Sequence, residues 1–381
     1  MRYIAVKNVV PGMIAAKDVY SNNGKLLVRQ SETFSITLAR NILDSGVSSI
    51  LIEDRRVNDV RIEELIEPTL KFELYGILKS IYENLGVVQK LWKDVNRQEQ
   101  LAGFKEIVDA KAATDVMGRI INEIDVISDM KNVNFDKEII LVESNDLNEY
   151  LYLHVLNVTI LSIAMGKIMK FPKTILMLVA QAAAFHDLGI VYVPKEILMK
   201  NGRLTAEEYG HVKTHVEMTA KILQAAKGAV HSHVMTTINQ HHENVGGTGY
   251  PAGLKDNQIH AFAKIISICN VYEALTAKRP WREAFMPHSA IEYVLAGAGD
   301  LFDYNFVKSF THLIPAYPKG IMVEINTGEK GCVINPNKGV VARPVVRMFY
   351  GKDGRELPDL PEYDLSKPEH QTKMITKILN D

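Results

Sequence analysis

Apolar and polar positions change texture several times along the chain. From Tyr3 to Asp54 short apolar runs surround turns, and Val19-Tyr20 and Leu26-Leu27-Val28 flank Asn23-Gly24, a pair suited to a tight hairpin. A helix from about Thr33 to Leu43 and a strand over Ser49-Ile50-Leu51-Ile52 complete a small α+β module. Beyond Arg55, Ile62, Leu65, Ile66, Leu70, Leu74, Ile77, Leu78 and Ile81 recur at three- and four-residue steps. That period predicts an amphipathic helix, which Pro68 should kink or divide. Gln100 to Met130 repeats the period, with Phe104, Ile107, Val108, Val116, Ile120, Ile121 and Ile124 on one stripe.

The long middle, from about Phe135 to Ile314, is helical in pattern. Past Pro315 the runs Ile321–Ile325, Gly331–Ile334 and Val345–Phe349 are β-rich and separated by Gly and Asn-Pro turns, with a last helix expected near His370 to Leu379. The chain therefore reads as mainly α: an all-helical core with a small N-terminal α+β module and a small C-terminal β appendage. The divisions fall at 1–55 for the module, 56–134 for a helical linker region, 135–315 for the core, and 316–381 for the appendage and tail. A fragment of about 135–315 is expected to carry the core's chemistry without its flanks.

Composition narrows the function classes. At roughly 150 residues per domain, 381 residues give two or three domains, and 47% hydrophobic residues suffice for real cores. Lys plus Arg is 44 and Asp plus Glu 45, so the net charge of −1 offers no basic field for DNA. Two cysteines, Cys269 and Cys332, are no disulfide framework and suit a reducing, cytoplasmic setting. The N-terminal stretch lacks an apolar signal region. Lys167, Lys170, Pro172 and Lys173 interrupt the apolar run Val155–Phe185, which reads as two buried core helices and not a membrane span.

Eight of the twelve histidines lie between His186 and His260. Two sites carry adjacent polar pairs, His186-Asp187 and His241-His242, within otherwise apolar helical sequence. Burying several imidazoles with a carboxylate is costly unless a metal compensates. Ala182-Ala183-Ala184-Phe185 before the first pair and Gly189 after it describe an apolar helix ending in a tight turn. Neighbouring helical side chains point about 100° apart, so His186 and Asp187 suit two ions bridged by the carboxylate. Imidazoles and carboxylates without clustered cysteines favour iron, manganese or zinc in a hydrolytic role.

Several motifs occur in order: His154-x-x-Asn157-Val158, His186-Asp187-x-Gly189, Pro194-x-x-Ile197-Leu198, Leu204-Thr205-x-Glu207-Glu208, Lys213-x-His215 and His241-His242-Glu243. Gly246-Gly247-Thr248-Gly249-Tyr250-Pro251 follows, then Ala274-Leu275-Thr276 before Arg279-Pro280. Over roughly Leu147 to Phe310 this set resembles the HD-GYP phosphodiesterases, a branch of the HD-domain metal-dependent phosphohydrolases. The resemblance implies metal ligands at His154, His186, Asp187, His215, His241 and His242, with Asp187 as bridge and catalytic carboxylate. It implies substrate contacts at Gly249, Tyr250, Pro251, Arg279 and Arg282. Two divalent transition metals, iron or manganese, would act on cyclic di-GMP through a metal-bridging hydroxide, giving pGpG, with the final product pGpG or GMP. A signalling-protein partner and a homodimer are compatible with the family; DNA and membrane are not expected partners.

Three positions depart from the family pattern. Ile190 stands where the family carries lysine, and Asn270 where it carries aspartate, although an Asn carbonyl can still reach a metal. Tyr150 stands where some members carry a third-metal glutamate, while Glu149 is displaced by one residue. The departures imply a slow phosphodiesterase with a weakened metal subsite. The alternative is a degenerate module that binds cyclic di-GMP or a signalling protein without turnover. His211 is expected to be exposed, and His231 and His233 to be plain helix residues.

Overall fold

The computed structural model describes residues 1–21, 23–91, 110–128, 147–225, 230–277, 282, 284–337 and 340–379, and the chain is mainly helical, as its periodicity predicts. Strands β1 (Arg2–Ala5), β2 (Val19–Tyr20) and β3 (Leu26–Val28), helix α1 (Ile36–Asp44) and strand β4 (Ser49–Ile52) form the N-terminal module. β1 pairs antiparallel with β4, and β2 with β3 across the Asn23-Gly24 turn. Ser35 caps α1 by accepting from the Leu38 amide at 3.1 Å.

Pro68 does not kink a longer helix; it begins helix α2 (Pro68–Leu91). At a first helical position its missing N–H costs no bond and its φ is preset, so Ile62, Leu65 and Ile66 precede the helix as buried irregular chain. Helix α3 (Ala110–Ser128) is the described part of the second periodic stretch; Phe104, Ile107 and Val108 lie outside the described residues.

Helices α4 (Leu147–Ile168) and α5 (Lys173–Phe185) are the expected apolar pair. The windows Glu149–Ile168 and Lys173–Tyr192 are long and apolar enough to cross a membrane, yet most of their side chains pack inside the protein. Short α6 (Lys195–Leu198), α7 (Ala206–Ala225), α8 (Ser232–Gln240), α9 (Ala261–Thr276), α10 (Pro287–Ala296) and α11 (Tyr304–Leu313) complete the helical body.

The segment assigned to a linker contributes heavily to that body. Leu74, Leu78, Ile81 and Leu85 of α2 and Val116, Met117, Ile120 and Ile121 of α3 share one apolar core with Leu156, Leu161, Val179 and Ile266. Each such burial contributes about 1.5–3 kcal/mol, so a 135–315 fragment lacks part of its own core.

Beyond the helices, β5 (Met322–Ile325), β6 (Lys330–Asn335), β7 (Val345–Tyr350), β8 (Glu362–Asp364) and β9 (Ile375–Leu379) form an antiparallel sheet in the order β8-β7-β6-β5-β9. The tail is thus a strand and not the expected helix. Its pairing Met322↔Leu379 and Val323↔Ile378 satisfies the free edge of β5, a tertiary demand that local spacing does not reveal. This sheet docks on the N-terminal module: Leu51, Val57, Val60 and Ile62 pack with Met322, Cys332 and Phe349. The Arg56 guanidinium lies 4.1 Å from the Phe349 ring centre, and Arg347 donates to Asp59 at 2.6 and 2.7 Å.

Candidate metal centre

Helix α5 delivers His186 at its C-terminal cap, and Asp187 opens the turn Leu188–Tyr192. Ala182, Ala183, Ala184 and Phe185 are buried around it, so the pair projects from a rigid apolar wall. Gly189 lets that turn approach α7. Its amide donates to Thr219 Oγ1 at 2.8 Å, and a Cβ there would stand 2.2 Å from the His215 carbonyl oxygen.

The arrangement centres on one carboxylate. Asp187 Oδ2 faces His186 Nε2 at 3.4 Å and His154 Nε2 at 3.7 Å, while Oδ1 faces His215 Nε2 at 3.2 Å and His241 Nε2 at 3.6 Å. Two ligand-bearing groups share this residue: His154, His186 and Asp187, and Asp187, His215, His241 and His242. His186 Nε2 and Asp187 Oδ1 are buried without a hydrogen-bond partner. Orphaned buried polar atoms are costly, so the cluster fits a metal that the donor set would satisfy.

The backbone orients the imidazoles. His186 Nδ1 lies 2.7 Å from the Ala183 carbonyl, His215 Nδ1 2.6 Å from that of Val212, and His241 Nδ1 2.7 Å from that of Ile238. A carbonyl only accepts, so each Nδ1 carries a proton, and Nε2 is the ring nitrogen turned toward Asp187. His154 uses a carboxylate instead: its Nδ1 contacts Glu273 Oε2, and Glu273 Oε1 accepts from Asn157 Nδ2 at 3.1 Å. Such an outer carboxylate fixes a ligand histidine's orientation and raises its basicity. Glu273 escaped the sequence reading, although an acidic residue inside the apolar run Ile265–Leu275 is a signal that could have found it.

Electrostatics agree with the geometry. Burial alone would raise the Asp187 pKa, but His186 and His215 beside it hold the carboxyl well below its ordinary range. Burial, with His186 and His215 nearby, pushes His241 down to about 4, and burial and His241 hold His242 well below the usual imidazole value. Both therefore remain neutral, the form that ligates metal.

The Gly-Tyr-Pro loop wraps the second group. Glu243 accepts from the Ala252 and Leu254 amides at 2.7 and 2.9 Å, and the Tyr250 amide donates to the His242 carbonyl at 3.1 Å. Tyr250 stacks on His242 with ring centres 4.7 Å apart. A Cβ on Gly249 would lie 2.4 Å from the Glu243 Cα, so only glycine fits this close return. Pro251 lies next in the loop, exposed and on the wall of a surface cavity.

The remaining candidates are placed as follows. Asn270 is buried three residues before Glu273, on the same face of α9. Ile190 is packed in the core. Arg282 donates to the Ala274 and Leu275 carbonyls and lies over Phe285, so it closes the end of α9. Arg279 lies outside the described residues. Tyr150 lies against the His154 ring at 5.8 Å, and Glu149 belongs to neither ligand group. His211 is exposed. His231 is the N-cap of α8, accepting from the His233 amide, and His233 Nδ1 meets His260 Nε2 at 2.8 Å, so these residues join two helix starts.

This fold and histidine arrangement define an HD domain, and residues 128–306 match the HD domain family. The Gly-Tyr-Pro signature beside it resembles that of the HD-GYP branch, and residues 322–381 match a KOW domain associated with HD domain. The chain is 30% identical over 249 residues to the cyclic di-GMP phosphodiesterase PA4108 of Pseudomonas aeruginosa, covering 65% of this chain and 58% of that one. It is 31% identical over 131 residues to the 3'3'-cGAMP-specific phosphodiesterase 2 of Vibrio cholerae, covering 34% and 25%. The chain thus spans little more than half, or less, of the length of these relatives. A solved structure, Bd1817, a HDG"Y"P protein from Bdellovibrio bacteriovorus, is 16% identical with a TM-score of 0.48, covering 81% of this chain and 97% of that one.

Proposed function

We propose that the protein is a metal-dependent phosphodiesterase that hydrolyses cyclic di-GMP to pGpG and then GMP. The observation that carries this reading is Asp187, whose two oxygens each face a separate set of imidazole Nε2 atoms. His154, His186 and Asp187 would hold one divalent metal. Asp187, His215, His241 and His242 would hold a second, with Asn270 as a neutral oxygen donor nearby; iron or manganese suits this imidazole-rich set. When bound, such a pair supplies Lewis acidity and a nucleophilic water at neutral pH. The chain's own residues fix the geometry: the Ala183, Val212 and Ile238 carbonyls and the Glu273 carboxylate orient four imidazoles, and Tyr250 walls the second group. The names of the relatives support a cyclic dinucleotide as the substrate class. A cytoplasmic setting suits the two free, buried thiols Cys269 and Cys332.

A second reading, a binding module without turnover, is favoured by Ile190, an apolar core residue where a phosphate-contacting lysine is expected. Protein purified anaerobically and loaded with iron or manganese decides between them. Conversion of cyclic di-GMP to pGpG supports the enzyme, and binding without product supports the module. Turnover of 3'3'-cGAMP alone would correct the substrate, and a protein that binds neither metal nor nucleotide would sink both readings.

A further inference from the structure

A cyclic dinucleotide carries two phosphodiester anions, and a two-metal centre engages the one that reacts. Of the basic residues expected from the sequence, Arg282 turns its Nη2 to two backbone carbonyls, and Arg279 lies outside the described residues; position 190 is apolar. Helix α7 offers a different cation. Lys213 lies two residues before His215, and its ammonium stands 4.7 Å from the Tyr209 ring centre and 5.1 Å from that of Tyr250. Tyr209 meets Tyr250 edge-on at 6.1 Å, and Tyr250 stacks on His242. An aromatic ladder therefore runs from a candidate metal ligand to the surface, with an exposed lysine held near its outer end.

Ring faces attract an ammonium without cancelling its charge, unlike a carboxylate. On the same helix Lys221 is paired with Glu217, whereas no ion pair involves Lys213 among the described residues. Lys213 also lines a surface cavity of about 450 Å³ with Thr214, Gln224, Asn239, Pro251 and the Glu217–Lys221 pair, a space on the scale of a small-ligand pocket. The ammonium thus lies both beside Tyr250, the ring that stacks on His242, and on the wall of this cavity.

Resting on the cyclic dinucleotide reading above, we propose that Lys213, presented by Tyr209 and Tyr250, binds the non-reacting phosphate of the substrate and so sets its affinity and not the rate of the chemical step. In the full-length, metal-loaded protein, Lys213→Gln should raise KM for cyclic di-GMP about tenfold, the scale of one charge-assisted contact, with kcat changed less than about twofold. Lys213→Arg should keep most of the affinity, because a guanidinium retains the charge over the rings. Bis(p-nitrophenyl) phosphate has a single phosphate, so its hydrolysis should be unchanged in Lys213→Gln, as should metal content. Lys308→Gln, at an exposed position of α11, removes equal charge elsewhere and should leave KM unchanged, which separates a local contact from the general field.

Equal KM in wild type and Lys213→Gln overturns the assignment while leaving the phosphodiesterase reading intact. An equal loss on the one-phosphate substrate places Lys213 at the reacting centre and also overturns it. Wild type that hydrolyses bis(p-nitrophenyl) phosphate yet neither binds nor turns over cyclic di-GMP overturns the substrate reading, and the assignment with it.

Discussion

Replacing Glu273 with glutamine asks whether one buried carboxylate governs half of the metal centre. Glu273 is 1% exposed and serves His154 Nδ1 through Oε2 and Asn157 Nδ2 through Oε1. Glutamine keeps the volume but only one acceptor oxygen, so its amide nitrogen must face a donor on one side. A hydrogen bond to a charged group is lost, about 1.5–3 kcal/mol. His154 also loses the anion that raises its basicity, and losses of this outer kind weaken metal affinity about 10–100-fold, or about 1.4–2.7 kcal/mol. His154 belongs to the group with His186, whereas His215, His241 and His242 form the other. One site should therefore weaken and one persist. Anaerobic equilibrium dialysis against graded chelator, read by elemental analysis, should show the variant falling to one metal per chain where wild type retains two, with a similar circular dichroism spectrum. Two metals retained at unchanged affinity would refute the role of Glu273, and simultaneous loss of both would refute the separation into halves.

Four further outcomes follow from the same geometry. Gly189→Ala places a Cβ 2.2 Å from the His215 carbonyl oxygen, so it should cost about 1–3 kcal/mol of stability, seen as a lower Tm, and reduce metal content by displacing α7. Asn270→Asp should raise metal occupancy at limiting metal, because a carboxylate adds charge beside the centre; unchanged occupancy would remove Asn270 from the ligand shell. A 135–315 fragment should fail to give a cooperative melt, since it loses eight or more side chains of its core at about 1.5–3 kcal/mol each, against a typical total stability of about 5–15 kcal/mol. Arg347 beside Asp59 holds that carboxyl down to about 2. Its folded pKa lies below the unfolded value of about 3.9, so the pair's contribution is present above that pH and is lost as pH falls toward 2; Arg347→Met should flatten this part of the Tm-against-pH curve.

The candidate site was legible because its signal is local. His186-Asp187 and His241-His242 are adjacent polar pairs in apolar surroundings, and the structure brings both pairs together with His154 and His215 around Asp187. The glycines were less so: the sequence marks Gly189 as a turn and Gly249 as a substrate contact, and each sits where the protein's own backbone passes too close for a Cβ. Glu273 was harder. Its partner His154 lies 119 residues away, and no periodicity links a buried acid on one helix to an imidazole on another. Arg282 shows a contact that its motif does not reveal: its Nη2 donates to the Ala274 and Leu275 carbonyls at the end of the preceding helix.

The flanks mark where sequence reasoning stops. A charged, periodic stretch such as 56–134 has the texture of a spacer, because an amphipathic helix looks alike whether its apolar face meets a partner helix or a distant domain. Here that face meets α4 and the wall of the metal centre, so α2 packs both on α4 and against the turn Leu188–Tyr192 that follows Asp187. The tail obeys the same logic: Ile375–Leu379 pairs as a strand because β5 offers a free edge to it. Docking of the N-terminal module on the C-terminal sheet through Arg56–Phe349 and Arg347–Asp59 joins residues nearly 300 positions apart, and α2 leaves that joint directly for the helical body. The two ends of the described chain therefore pack on each other, and the helix that follows this joint in sequence packs against the turn after Asp187, an arrangement that composition at either end does not encode.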